Sequence, residues 1–150
     1  QAGMRWEYVD ASAHMARQFN SNLQGTNLKT SCNVSDLHAF LGTAQKGKYD
    51  VVLLSLVLTS LGHNPEWAKV AACLKSGGRL IVADIDATYT AQNPYYIIEV
   101  QGRTHALAPR AVSLTQVYNE AKQAGLKLEH TQPVVEGTVN YAYIAEFSAP

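Results

Sequence analysis

The sequence predicts an α/β fold: a mostly parallel sheet with helices on both faces, closed by a C-terminal antiparallel hairpin. Three observations predict it. Short β-rich runs alternate with helical patterns along most of the chain, which implies parallel crossovers and a sheet covered on both sides. The run Asp50-Val-Val-Leu-Leu-Ser-Leu-Val-Leu58 is unbroken in its apolar character, as a parallel strand buried on both faces requires. The last two β-rich runs have only a loop between them, which makes them an antiparallel pair.

The elements follow in order. Trp6 to Val9 is a first strand. Asp10 or Ser12 can cap the next helix, Ala13 to Leu23, because a short side-chain oxygen satisfies free amides there. Gly25 stops it. Lys29 to Cys32 is a second strand, Ser35-Asp36 opens a short helix to about Leu41, and Gly42 to Lys48 is a polar loop. After the Asp50 strand, Pro65 stands where a first helical turn tolerates proline. Glu66 to Leu74 has helical spacing at Trp67, Val70, Ala71 and Leu74, and Gly77-Gly78 ends that segment. Arg79 to Ala83 is another buried strand. Thr88 to Arg110 shows no clean period and holds Pro94 and Pro109, so it reads as an irregular insertion. Ser113 caps a helix from Leu114 to Ala124, closed by Gly125. Leu126 to Pro133 and Tyr141 to Ser148 are the final strands, joined by the loop from Val134 to Asn140.

Composition narrows the function classes. The 150 residues suit one domain, and 47% are apolar, enough to build a core. Twelve basic and twelve acidic residues give zero formal charge, whereas a nucleic-acid partner calls for a basic stripe. No apolar run reaches the length of a membrane span. The two cysteines, Cys32 and Cys73, read as reduced structural thiols of a cytoplasmic protein. The five histidines show no metal spacing, so a zinc site is not expected. Gln1, Ala2 and Gly3 read as additions ahead of Met4. Tyr118 and Lys122 have the spacing of the short-chain dehydrogenase pair, but no nicotinamide glycine fingerprint accompanies them, and they read as one helix face.

Several segments carry a family resemblance. Tyr49 to Leu61 is similar to the fourth-strand segment of class I S-adenosylmethionine-dependent methyltransferases. Leu74-Lys75-Ser76-Gly77-Gly78-Arg79-Leu80-Ile81-Val82-Ala83-Asp84 resembles that family's turn into its fifth strand, with Ser76 in place of the usual proline. Tyr8 to Met15 resembles its second strand and following helix, and Cys32 to Leu37 the loop after its third strand. Leu114 to Lys127 resembles a late segment of its small-molecule branch. The resemblance implies a Rossmann-like methyltransferase fold with strand order 3-2-1-4-5-7-6, S-adenosyl-L-methionine as cofactor and a small-molecule methyl acceptor.

The family's first strand and glycine-rich loop would stand before Trp6, so the chain reads as truncated with respect to the family. The Trp6 and Asp50 strands then have open edges, and such edges recruit another strand. A homo-oligomer, or direct pairing of those two strands, is expected, with Asp10 and Ser55 aimed at one crevice. A non-catalytic methyltransferase-like module that has lost cofactor binding is the alternative to an enzyme.

The resemblance implies roles residue by residue. Asp10 is placed on the cofactor's ribose hydroxyls, since a carboxylate accepts two hydrogen bonds at once; a plain helix cap is the rival. Asn33 and Val34 match the adenine-contacting loop, against an Asx turn. Ser55 and Leu56 stand at the strand end facing the methionine part, against core packing. Asp84 and Asp86 follow the next strand and could orient or deprotonate a substrate, against a solvated loop. His63 is the best-placed proton acceptor. Tyr95, Tyr96, His105 and Arg110 are candidate pocket residues within the insertion, against a packed surface loop.

Overall fold

A computed structural model of the chain describes residues 3–100 and 102–150. Gln1 and Ala2, read above as additions, lie outside the described residues. The chain divides into two compact units, Gln1–Ala44 and Gln45–Pro150.

The first unit holds β1 (Arg5–Asp10), α1 (Ala13–Asn22), β2 (Lys29–Val34) and α2 (Leu37–Thr43). The strands pair in parallel, from Arg5 opposite Lys29 to Asp10 opposite Val34. The Ser12 hydroxyl accepts from the Met15 amide and caps α1, while Asp36 accepts from Ala39 and caps α2. Each cap satisfies a donor that the first helical turn leaves open. Helix α1 packs across both strands, and the Phe19 ring stacks on Tyr8 with centroids 4.3 Å apart.

The second unit holds β3 (Tyr49–Ser55), a 3₁₀ turn (Leu58–Ser60), α3 (Trp67–Cys73), β4 (Leu74–Ile85), α4 (Ala87–Gln92), β5 (Tyr96–Val100), β6 (Arg103–Leu107), α5 (Leu114–Gln123), β7 (Lys127–Glu136) and β8 (Val139–Ser148). Its main sheet runs β3-β4-β8-β7. β3 and β4 are parallel, and β8 is antiparallel to both β4 and β7. The expected terminal hairpin is therefore present. Its connection is tighter than the predicted loop, with Gly137 at φ 60 in a two-residue turn.

Alternation along these strands sorts the two faces. Leu80, Val82 and Asp84 of β4 and Tyr143, Ala145 and Phe147 of β8 are all buried, and register places Leu80 opposite Phe147 and Val82 opposite Ala145. Helices α3 and α5 touch each other and bring Val70, Val117 and Ala121 into this core. The other face of β3 differs from expectation. Val51 and Leu53 remain 52% and 50% exposed, so the Asp50 run is covered on one side only. An unbroken apolar run looks the same to the sequence whether one face or two are covered.

Three further expectations are corrected. The Trp6 and Asp50 strands do not pair with each other: β1 belongs to a two-stranded sheet and β3 to the four-stranded one. Gly77-Gly78 does not close a helix before a separate strand, because α3 runs directly into β4. Between Tyr49–Leu74 and Val51–Arg79 the register slips, so residues 75–78 form a bulge, with Gly77 at φ 70. The supposed irregular insertion contains α4 and a β5–β6 hairpin turned at Gly102. That hairpin is largely exposed, so its alternation carries no apolar period for a sequence reader to detect.

Gly78 sits under backbone. A Cβ there would lie 2.9 Å from Lys75 O and 3.2 Å from both Asp50 O and Tyr49 O, none of which can rotate away. Gly62 faces open space. Gly78→Ala is expected to cost roughly 1–3 kcal/mol in urea unfolding, as overpacking does, with Gly62→Ala near neutral. Equal midpoints for the two variants would contradict the register described.

Candidate functional site

The first unit presents the carboxyl ends of β1 and β2. Asp10 ends β1, and both its carboxylate oxygens are already oriented. Oδ2 accepts from the Tyr8 hydroxyl at 2.7 Å and Oδ1 from the Ser12 amide at 2.7 Å. A carboxylate accepts about four hydrogen bonds, so capacity remains for a ligand. Burial, then the hydrogen bond to Asp10, pushes the Tyr8 hydroxyl up to about 12, which keeps it a donor at neutral pH. The simple cap expected as the rival is thus split: Ser12 caps the helix, and Asp10 orders the strand-to-helix turn. Tyr8 is a residue the sequence reading overlooked; its two-residue spacing from Asp10 on a strand places both on one face.

Asn33 and Val34 end β2. Asn33 forms no Asx turn; its Nδ2 donates to Glu7 Oε1 at 2.8 Å across the parallel pair. Val34 is 58% exposed, an uncovered apolar side chain beside this strand end.

The second unit presents the ends of β3 and β4. Ser55 and Leu56 are exposed there, so the core-packing alternative does not hold for Leu56. Leu56 adopts φ 54, the one positive φ outside glycine among the described residues. Leucine at such an angle costs of order 1–3 kcal/mol and persists only where its surroundings impose it. The Leu56 amide donates to Ala83 O at 2.8 Å, and the chain then enters the 3₁₀ turn.

Asp84 imposes that turn. It is 1% exposed, which excludes the solvated loop, and its carboxylate is spent on structure. It accepts from the Leu58 amide (2.7 Å), the Thr59 hydroxyl (2.9 Å) and the Ile85 amide (2.8 Å). The substrate-orienting role expected of Asp84 is therefore corrected to a clamp between β4 and the 3₁₀ turn. Asp86 accepts from the Thr88 and Tyr89 amides and caps α4, so it too is a structural carboxylate.

Arg110 is likewise bound into the backbone. Its Nε donates to Leu61 O and its Nη2 to Leu58 O, both at 3.0 Å, and Nη2 also donates to Asn64 Oδ1. Asn64 passes the link on, its Nδ2 donating to Glu120 Oε2 at 2.6 Å, where Trp67 Nε1 also donates at 2.6 Å. Burial pushes the Glu120 carboxyl up, but hydrogen bonds from Asn64, Gln116 and Trp67 and the Arg110 charge outweigh it and hold it below the usual glutamate range. This chain was invisible in sequence because its members come from three separate stretches, residues 58–67, Arg110 and residues 116–120. Glu120 stood inside the discounted Tyr118–Lys122 pair, whose ammonium lies 5.7 Å from the Tyr118 ring centroid on one helix face, as read.

The remaining candidates do not converge. His63 is exposed, with Nδ1 2.9 Å from Asn64 O. Tyr95 is 64% exposed and His105 lies on the exposed strand β6. Tyr96 does turn its hydroxyl into the protein. Among the described residues no group of three His, Cys, Asp or Glu could hold a metal ion, and no helix is long and apolar enough to cross a membrane. Cys32 and Cys73 are free.

No protein-family model and no curated protein matches the sequence. Solved structures do match. The chain superposes on an S-adenosylmethionine-dependent methyltransferase from Clostridium acetobutylicum with TM-score 0.73 and 12% identity, over 95% of this chain and 74% of that one. The chain has the class I methyltransferase fold. A similar enzyme from Mesorhizobium loti aligns with TM-score 0.68 at 11% identity, over 97% of this chain and 90% of that one. The [4+2]-cyclase SpnF aligns with TM-score 0.66 at 12% identity, over 99% and 76% respectively. The methyltransferase fold's order, 3-2-1-4-5-7-6, is met in two runs. β2-β1 matches its 3-2, and β3-β4-β8-β7 matches its 4-5-7-6.

Two variants test the second unit. Asp84→Asn puts an amide donor against three donors, and urea unfolding is expected to show a loss of about 2–4 kcal/mol; an unchanged midpoint would contradict the clamp. Glu120→Gln should destabilise at neutral pH. The depressed native pKa means Glu120's contribution is complete above the ordinary value of about 4.3. It is lost as pH falls through the lower native value, so wild type and variant should converge in acid. A gap that widens in acid would contradict this.

Proposed function

We propose that the chain is an S-adenosyl-L-methionine-dependent methyltransferase acting on a small molecule. Asp10 carries the reading. It stands at the carboxyl end of a parallel strand, ordered by Tyr8 and Ser12 and still able to accept, where the resemblance puts the ribose-binding acid. The methyltransferase neighbours of the same fold support it.

The residues fit the cofactor's adenosine part. Asp10 would accept from the ribose hydroxyls, Val34 offers an exposed apolar side chain to the adenine, and the Asn33 amide retains acceptor capacity beyond its bond to Glu7. In the second unit, Ser55 and Leu56 are exposed at the end of β3, and the resemblance implies for them the methionine part. When bound, the cofactor supplies an activated methyl on its sulfonium. The protein's contribution is to position the reactants, which needs few acid–base groups. That agrees with a second unit whose buried carboxylate, Asp84, is spent on structure.

Titration calorimetry tests the reading. S-adenosylmethionine is expected to bind the wild-type chain, and Asp10→Ala to weaken binding roughly 10- to 100-fold, the worth of charge-assisted hydrogen bonds. No heat with the wild type would overturn the enzyme reading and leave the non-catalytic module.

A further inference from the structure

At the N-terminal end of β8 the second unit holds an open concavity of about 370 Å³ lined by Tyr89, Glu136, Val139 and Tyr141. Two elements build it. Helix α4 lays Tyr89 against Tyr141, with ring centroids 6.3 Å apart at 64°. The hairpin turn at Gly137 sets Glu136 and Val139 at its rim. β8 is antiparallel to β4, so this lies at the same end of the sheet as Ser55 and Leu56.

The surroundings carry negative charge. Asp86 caps α4 beside the concavity, and its backbone amide donates to Tyr141 O at 2.9 Å. Tyr143, two residues along β8 from Tyr141 and on the same face, is the cross-strand partner of Asp84. Burial first, then the Asp84 and Asp86 charges, push the Tyr143 hydroxyl up, against an opposing effect of Arg110. The Arg110 guanidinium that opposes this shift is committed to Leu58 O, Leu61 O and Asn64. The hydroxyls of Thr90, Tyr96 and Tyr143 are buried without a hydrogen-bond partner among the described residues, and none of the three residues lines the concavity.

We propose that this concavity binds an organic ammonium group, seated against the Tyr89–Tyr141 edge-to-face pair and drawn by Glu136. Aromatic faces attract cations through the ring quadrupole, and a carboxylate at the rim adds to that attraction. An anionic ligand would meet Glu136 and Asp86 and be repelled. The site stands on its own geometry. Resting additionally on the methyltransferase reading, it names the methyl acceptor's chemistry: a small molecule bearing an amino group.

The test compares benzylammonium with benzyl alcohol, which are alike in shape and differ in charge. Chemical-shift titration of the full chain at pH 7 and low salt is expected to show benzylammonium binding about fivefold more tightly, consistent with an exposed cation–π contact plus a rim carboxylate. Glu136→Gln and Tyr141→Leu, both at exposed positions, should each cut that preference to twofold or less. Equal affinity of the two compounds for the wild type would overturn the proposal without recourse to a variant. So would a preference that survives in either variant. No methyl donor is present, so the outcome is separate from cofactor binding: a chain that prefers benzylammonium yet ignores S-adenosylmethionine would keep this site and lose the methyltransferase reading.

Discussion

The buried carboxylate of Asp84 is the constraint on which the second unit's strand ends depend. A charged group out of water is tolerable only when its lone pairs are filled, and three donors fill these: two backbone amides and the Thr59 hydroxyl. Because two donors come from the 3₁₀ turn, the carboxylate dictates where the chain goes after β3. Leu56 must then take a left-handed backbone angle to connect the strand to that turn. Arg110 closes the same loop from the other side by gathering the carbonyls of Leu58 and Leu61. One buried charge thus converts an apolar strand into a strand with a defined, exposed and strained exit.

The sheet around that exit is built asymmetrically. On one face Leu80, Val82, Ala145 and Phe147 meet α3 and α5, and the Glu120 hydrogen bonds tie those helices together through Trp67. On the other face Val51 and Leu53 stay half exposed. That face therefore presents apolar side chains. In the first unit the constraint is smaller in scale. The stacked Tyr8 and Phe19 rings fix α1 on the strands, and the Tyr8 hydroxyl orients Asp10.

Much of the architecture was legible because it rests on local chemistry. The caps at Ser12, Asp36 and Ser113, the stop at Gly125 and the paired terminal strands are short-range signals, and the helix starts and strand types followed from them. The misreadings have particular causes. Gly77-Gly78 looks like a helix stop and is a bulge within β4, because only the facing strand reveals why Gly78 cannot bear a Cβ. The β5–β6 hairpin escaped notice because exposed strands carry no burial pattern. At the site, Asp10 was found and Tyr8 was not. Asp84 was found and its role mistaken, since burial of an acid at a strand end depends on a turn from another segment. Arg110, Asn64 and Glu120 meet only in three dimensions.

The same scaffold supports more than one chemistry, as fold never dictates reaction, so the proposed function turns on whether the first unit's strand ends receive an adenosine group. Mapping amide shifts of the ¹⁵N-labelled chain on titration with S-adenosylhomocysteine asks this directly. Changes are expected to concentrate at Asp10, Ser12 and residues 33–35. Changes confined to other surfaces, or none at saturating ligand, would contradict it.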